Sequence, residues 1–167
     1  MAEYAGFDAA LVCRFGHVIN KAVGRYPHRV EKRCQRCSEV VVSACASCNT
    51  PIRGAELERI GSELFLADYE AKYLPPVYCQ ECGEPFPWTQ EILRFAEDQA
   101  RNLTADELAE YRKSLEMLAA GHPAAAGAAG VVRRAMDRMS VEGVEMLRAV
   151  LANIVSDVLM GQVFKGR

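Results

Sequence analysis

The sequence predicts an α+β protein, with two small ribbon-like β modules in the first half and an all-α second half. Three observations point there. Seven cysteines occur among 167 residues, all of them before residue 83, and six of the seven form CxxC pairs. The apolar runs between these pairs are short and rich in Val, as strands are. Beyond Pro85 there is no cysteine, and the chain turns rich in Ala, Leu, Met and Glu with helical periodicity. The chain therefore divides near Trp88, into residues 1–87 and residues 88–167. The boundary is compositional, because formal charge does not separate the halves.

Composition narrows the class. Half the residues are apolar and a quarter charged, an ordinary globular mixture. No apolar run is long enough to span a bilayer. The opening MAEYAGFDAALVCRFGH lacks the basic and long apolar regions of a secretory signal. The formal charge of −2 argues against a general coat for nucleic acid or membrane. An odd number of cysteines without an export signal reads as reduced thiols in the cytoplasm, where short Cys spacings mean metal.

Along the first half, strands are expected at Ala9–Val12, Val18–Ile19, Val40–Val42 and Val77–Tyr78, three of them next to a cysteine or histidine and Val40–Val42 midway between Cys37 and Cys45. Strands this short are weak alone, and metal would pin them as hairpin arms. Residues 49–78 are less legible. Ala55–Ile60 reads as one or two helical turns and Leu64–Leu66 as a strand. In GEPFPWT, Phe86 and Trp88 are expected to pack the ribbon onto the first helix. That helix starts after Pro87, with Thr89 as its cap, and runs to about Arg101. The second carries a capping box in Thr104 and Glu107 and a staple in Leu103 and Leu108. Its Leu108, Tyr111, Leu115 and Leu118 share a face, and Gly121 with Pro123 ends it. A third helix covers Val131–Met139, preceded by an Ala-Gly stretch that reads as an elbow or a close-packed helix start. A fourth runs from Ser140 to near Gly161, with Val144, Leu147, Leu151, Ile154 and Val158 as its stripe.

The ligand candidates fall into four pairs: Cys13 with His17, Cys34 with Cys37, Cys45 with Cys48, and Cys79 with Cys82. A CxxC spacing lets two thiolates converge on one tetrahedral ion at about 2.3 Å. His17, four residues after Cys13, completes eight ligands, which is two closed four-ligand sites with nothing left over. Two structural Zn(2+) ions per chain follow, with iron as the lesser alternative. His28 and His122 read as solvated. Spacing favours sequential pairing, the first two pairs on one ion and the last two on the other. It leaves open an interleaved pairing, first with third and second with fourth.

Between Arg14 and Arg36 seven cations face the single acid Glu31, with Phe15 and Tyr26 interleaved. Arg25, Arg29, Lys32 and Arg33 could follow a phosphate backbone while an aromatic stacks on a base. The alternative is that these cations compensate nearby thiolates. Two zinc ions on seven thiolates would shift the formal charge from −2 to about −5, which weighs against general nucleic-acid binding. HExxH, a P-loop, GxGxxG and the deaminase pattern are missing, and a catalytic zinc would keep a coordination position open. No enzyme, catalytic residue or small-molecule substrate is expected.

CRFGHVIN, CQRC, CASCNTPIRG, PPVYCQECGEPFPWT and LTADELAEY together resemble an uncharacterised bacterial family with a domain of unknown function, DUF2321. Resemblance to that family implies a double zinc ribbon with a helical tail, and the same eight ligand positions. Residues Arg53 to Tyr73 look more acidic and helical than that pattern. No activity follows from the resemblance.

The function expected is a non-enzymatic zinc-binding adaptor, whose helical tail binds a protein partner or a second copy through the stripe from Val144 to Val158. The alternatives are a nucleic-acid-binding ribbon that uses the basic segment, and a zinc-thiolate redox switch.

Overall fold

The short apolar runs pair into two antiparallel sheets in a computed structural model that describes residues 2–68, 70–99, 102–152 and 154–166. The strands are β1 (Glu3–Ala9), β2 (Leu11–Cys13), β3 (Val18–Asn20), β4 (Val41–Val42), β5 (Arg53–Ile60) and β6 (Glu63–Leu66). One sheet has the order β1-β5-β6 and the other β3-β2-β4. The chain forms two compact units, Met1–Pro87 and Trp88–Arg167.

The run expected at Ala9–Val12 is divided between the two sheets. Ala9 pairs with Arg53 in the first sheet and Val12 with Val42 in the second. Asp8 holds this hand-over, its carboxylate accepting the N–H groups of Ala9, Gly24 and Arg25. Ala10 between them is fully buried and donates its N–H to the Ile52 carbonyl at 2.8 Å. Val77–Tyr78 forms a single bridge, Tyr78 to Pro85, in place of the expected strand.

Ala55–Ile60 is strand, which corrects the helical reading. Its Ala, Glu, Leu and Arg favour helix locally, but β5 is the central strand, paired with β1 on one side and β6 on the other. Pairing on both edges overrides a weak local preference. The segment also needs Gly54, where a Cβ would lie 2.4 Å from the Lys21 carbonyl oxygen and 2.7 Å from that of Asp8. Three stretches of backbone meet there, and none is a flexible side chain that could yield. Gly54→Ala is expected to destabilise residues 1–87 by about 2 kcal/mol or more, read as a lower denaturation midpoint of the metal-loaded protein. An unchanged midpoint would contradict this packing.

The second unit is α1 (Pro87–Gln99), α2 (Ala105–Ala119), α3 (Ala125–Met136), α4 (Val141–Leu151) and α5 (Asp157–Val163). Pro87 opens α1, as its fixed φ and missing N–H allow. Thr89 is therefore inside the first turn and buried, not the cap. Arg101, the expected end, lies outside the described residues. The capping box of α2 is complete, with Glu107 N–H donating to the Thr104 hydroxyl and Thr104 N–H to the Glu107 carboxylate. Glu107 also pairs with Arg138 at 3.0 Å, tying the start of α2 to the exit of α3. The Ala-Gly stretch is helix from Ala125, six residues before the expected start, and its small side chains are buried at Ala125, Ala128 and Ala129.

The single fourth helix is corrected to two. Ser156, extended at φ −63° and ψ 151°, breaks the helix and stands just before a new one that starts at Asp157. The break turns both Ile154 and Val155 inward and leaves Val158 74% exposed. Leu147, Leu151 and Ile154 belong to the unit's own core, so the stripe from Val144 to Val158 is not an uncovered surface. Among the described residues of this unit, the large apolar side chains left exposed are Val141, Met146 and Val158. No helix among the described residues is long and apolar enough to cross a membrane.

One buried group in α2 is unsatisfied. Tyr111 is 1% exposed, and its hydroxyl finds no hydrogen-bond partner. Burial accordingly pushes its phenol above the ordinary range. Removing an orphaned polar atom costs little, so Tyr111→Phe should leave stability unchanged or raise it by about 1 kcal/mol. A loss of that size in thermal unfolding would reveal a bridging water.

Candidate metal centre

Each candidate ligand pair sits in a tight backbone knuckle, built the same way in three cases. In CxxC the first cysteine N–H donates to the carbonyl five residues on, and its own carbonyl accepts the N–H four residues on. The pairs are Cys34 with Glu39 and Ser38, Cys45 with Thr50 and Asn49, and Cys79 with Glu84 and Gly83, at 2.7–2.9 Å. That turn needs a left-handed residue just after the second cysteine. Ser38, Asn49 and Gly83 occupy it with φ of 60°, 60° and 74°. Single bridges flank the knuckles, Arg33 to Val40, Ala44 to Pro51 and Tyr78 to Pro85. In CRFGH the turn is one residue shorter, Cys13 N–H donating to the His17 carbonyl, with Gly16 at φ 83°.

The structure brings the eight residues into two groups, Cys13, His17, Cys34 and Cys37, and Cys45, Cys48, Cys79 and Cys82. This is the sequential grouping. Within each group the candidate ligand atoms all lie within 4.8 Å of one another. In the first, Cys13 Sγ is 3.7 Å from Cys37 Sγ, and His17 Nδ1 is 3.3–3.6 Å from the three sulfurs. In the second, Cys45 lies 3.6 Å from Cys82, and Cys48 3.6 Å from Cys79. Thiolates at about 2.3 Å from a tetrahedral ion stand about 3.8 Å apart, and an imidazole nitrogen slightly closer. The groups fit that geometry and could hold two metal ions, with no cysteine engaged in a disulfide.

The sulfurs sit in differing fields. Burial pushes Cys13 up to about 12, against the N–H groups of Phe15 and His17. At Cys34 burial also raises the thiol, but the N–H groups of Arg36 and Cys37 outweigh it and the net shift is downward. Cys45 is lowered by the N–H groups of Cys48 and Ser47. Cys48 falls to about 6, through the Thr50 hydroxyl at 3.2 Å and the Thr50 N–H. His17 is held below its usual value by burial and by Arg36, which keeps the imidazole neutral and able to ligate.

Thr50 was not singled out from the sequence, nor were Ser38 and Asn49. The signal is a turn-forming or hydroxyl side chain one or two residues after a CxxC. The groups also differ in exposure. Cys13 and Cys34 are buried, whereas Cys48 and Cys82 are exposed.

Two closed four-ligand groups on paired knuckles, followed by a helical unit, define a double-ribbon protein of the α+β class. The chain belongs to the DUF2321 family of uncharacterized proteins conserved in bacteria, which matches residues 6–163. No curated protein and no solved structure matches it.

Proposed function

We propose that this protein is a non-enzymatic interaction module of the reducing cytoplasm whose first half is held by two structural zinc ions. The observation that carries the reading is closure. Each group supplies four protein ligands to a tetrahedral ion, so no position is left for a substrate or an activated water. The residues that would hold zinc are Cys13, His17, Cys34 and Cys37 in one site and Cys45, Cys48, Cys79 and Cys82 in the other. Zinc would supply rigidity, joining knuckles whose strands are too short to persist alone. Elemental analysis of protein purified without added metal should return two zinc per chain. A value of one, or iron in place of zinc, would overturn the double-zinc reading.

A further inference from the structure

The basic segment divides once its side chains are located. Arg25 lies over the Phe65 ring at 5.9 Å and Arg29 over Tyr26 at 5.4 Å, while Arg33 donates to the Ser38 carbonyl. These three cations are already positioned by the protein itself. The side chains of Arg14, Lys32 and Arg36 are exposed and make no hydrogen bond or ion pair among the described residues, although the Arg14 N–H donates to the Val40 carbonyl and the Lys32 carbonyl accepts the Val41 N–H. Arg14 and Arg36 occupy the tips of the two knuckles that share the first ligand group, as does Phe15, which is 46% exposed. The convergence of Cys13, His17, Cys34 and Cys37 within 4.8 Å therefore brings these tips to one rim. The tips of the second group read Ala-Ser and Gln-Glu and carry no cation.

The rest of the segment is built to hold this rim. Buried Asn20 donates from its amide to the carbonyls of Tyr26 and Arg29 and accepts the Ala22 N–H, while Asp8 takes the N–H groups of Gly24 and Arg25. The two nearby acids are occupied by neutral donors, Glu31 by the Gln35 amide and Glu39 by the Val40 N–H. The surface keeps its positive excess although the whole chain is slightly acidic.

We propose that the rim of the first metal-ligand group docks single-stranded nucleic acid, with Arg14, Arg36 and Lys32 on phosphates and Phe15 stacked on a base. Unpartnered cations and one exposed ring are what such a strand needs, since phosphates supply affinity and a flat aromatic accepts any base. The inference rests on the zinc-organised reading above and names its partner.

The test is fluorescence anisotropy of the full chain with labelled single-stranded DNA and RNA, the matching duplexes and polyglutamate, with zinc content measured on the same samples. Single strands should bind saturably. The log–log salt slope should be about −2, at about −0.7 for each phosphate contact. Arg14→Glu with Arg36→Glu should weaken binding at least about tenfold while zinc is retained. Phe15→Ala should cost about fivefold or more on the single strand and less on the duplex. Arg59→Glu with Lys113→Glu is the control, two exposed cations outside residues 14–36, one in β5 and one in α2. No saturable binding by zinc-loaded protein at low salt would overturn the inference, as would an equal loss in the control. Polyglutamate binding as tightly as the single strand would overturn it in favour of an acidic protein partner. Absence of zinc from the wild type would instead sink the reading on which it rests.

Discussion

Stripping the two proposed zinc ions from the purified protein is expected to abolish ordered structure in residues 1–87 while α2 to α5 stay helical. The reason lies in how little else holds the first unit. Strands β2, β3 and β4 are three, three and two residues long, and strands of that length are not stable by themselves. Each knuckle is closed by two backbone hydrogen bonds, worth about 1 kcal/mol apiece. Structural zinc contributes on the order of 10 kcal/mol or more as folding free energy. Release should be biphasic, with the second group first, because a chelator reaches exposed Cys48 and Cys82 before buried Cys13 and Cys34. Hydrogen exchange followed during chelation checks this. Protection should vanish at Val12 and Ile52 and persist at Leu115 and Val132. Persistence at Val12 without metal would show that the sheets stand unaided. Cys34→Ser and Cys79→Ser should each remove one zinc and the protection around it.

Leu151→Glu should unfold the helical unit. Leu151 is fully buried, as are Leu147 and Val155, with Ile154 only 2% exposed. A carboxylate there would lose the leucine's packing and sit unpaired in an apolar core, a combination that costs about 4 kcal/mol or more. Val158→Glu is the matched control, since Val158 is 74% exposed; its effect should stay within about 0.5 kcal/mol. Circular dichroism melts separate the two outcomes, and retention of zinc by Leu151→Glu would show that the damage is confined to the helices. If both variants melt alike, the break between α4 and α5 is misplaced.

The eight residues that the structure gathers into two groups able to hold metal ions were legible because metal chemistry favours short local spacing. Two residues between thiolates suffices for a knuckle, and the odd cysteine pointed to His17. The capping box of Thr104 and Glu107 and the buried face of Tyr111, Leu115 and Leu118 were legible for a similar reason, since each lies within a few turns of one helix. Residues 53–60 were not. Their composition favours helix, and what makes them a strand is a pair of partners, one of them some fifty residues earlier, where Glu3 meets Arg59. The periodicity of α4 ran on through α5 because Ile154 and Val158 fit a continuous stripe, and only packing shows that the chain turns at Ser156.

The sequence by itself therefore determined the two-part α+β plan, the four knuckles and the starts of several helices. Those features depend on residues a few positions apart, whose chemistry acts before any tertiary contact forms. Tertiary structure alone decided that the knuckles pair sequentially, that β5 joins two neighbours, and which cations of residues 14–36 the protein occupies itself. These depend on which distant backbones and side chains meet. Loop closure costs nearly the same for either pairing of the knuckles, and a side chain's partners across the fold leave no spacing to read.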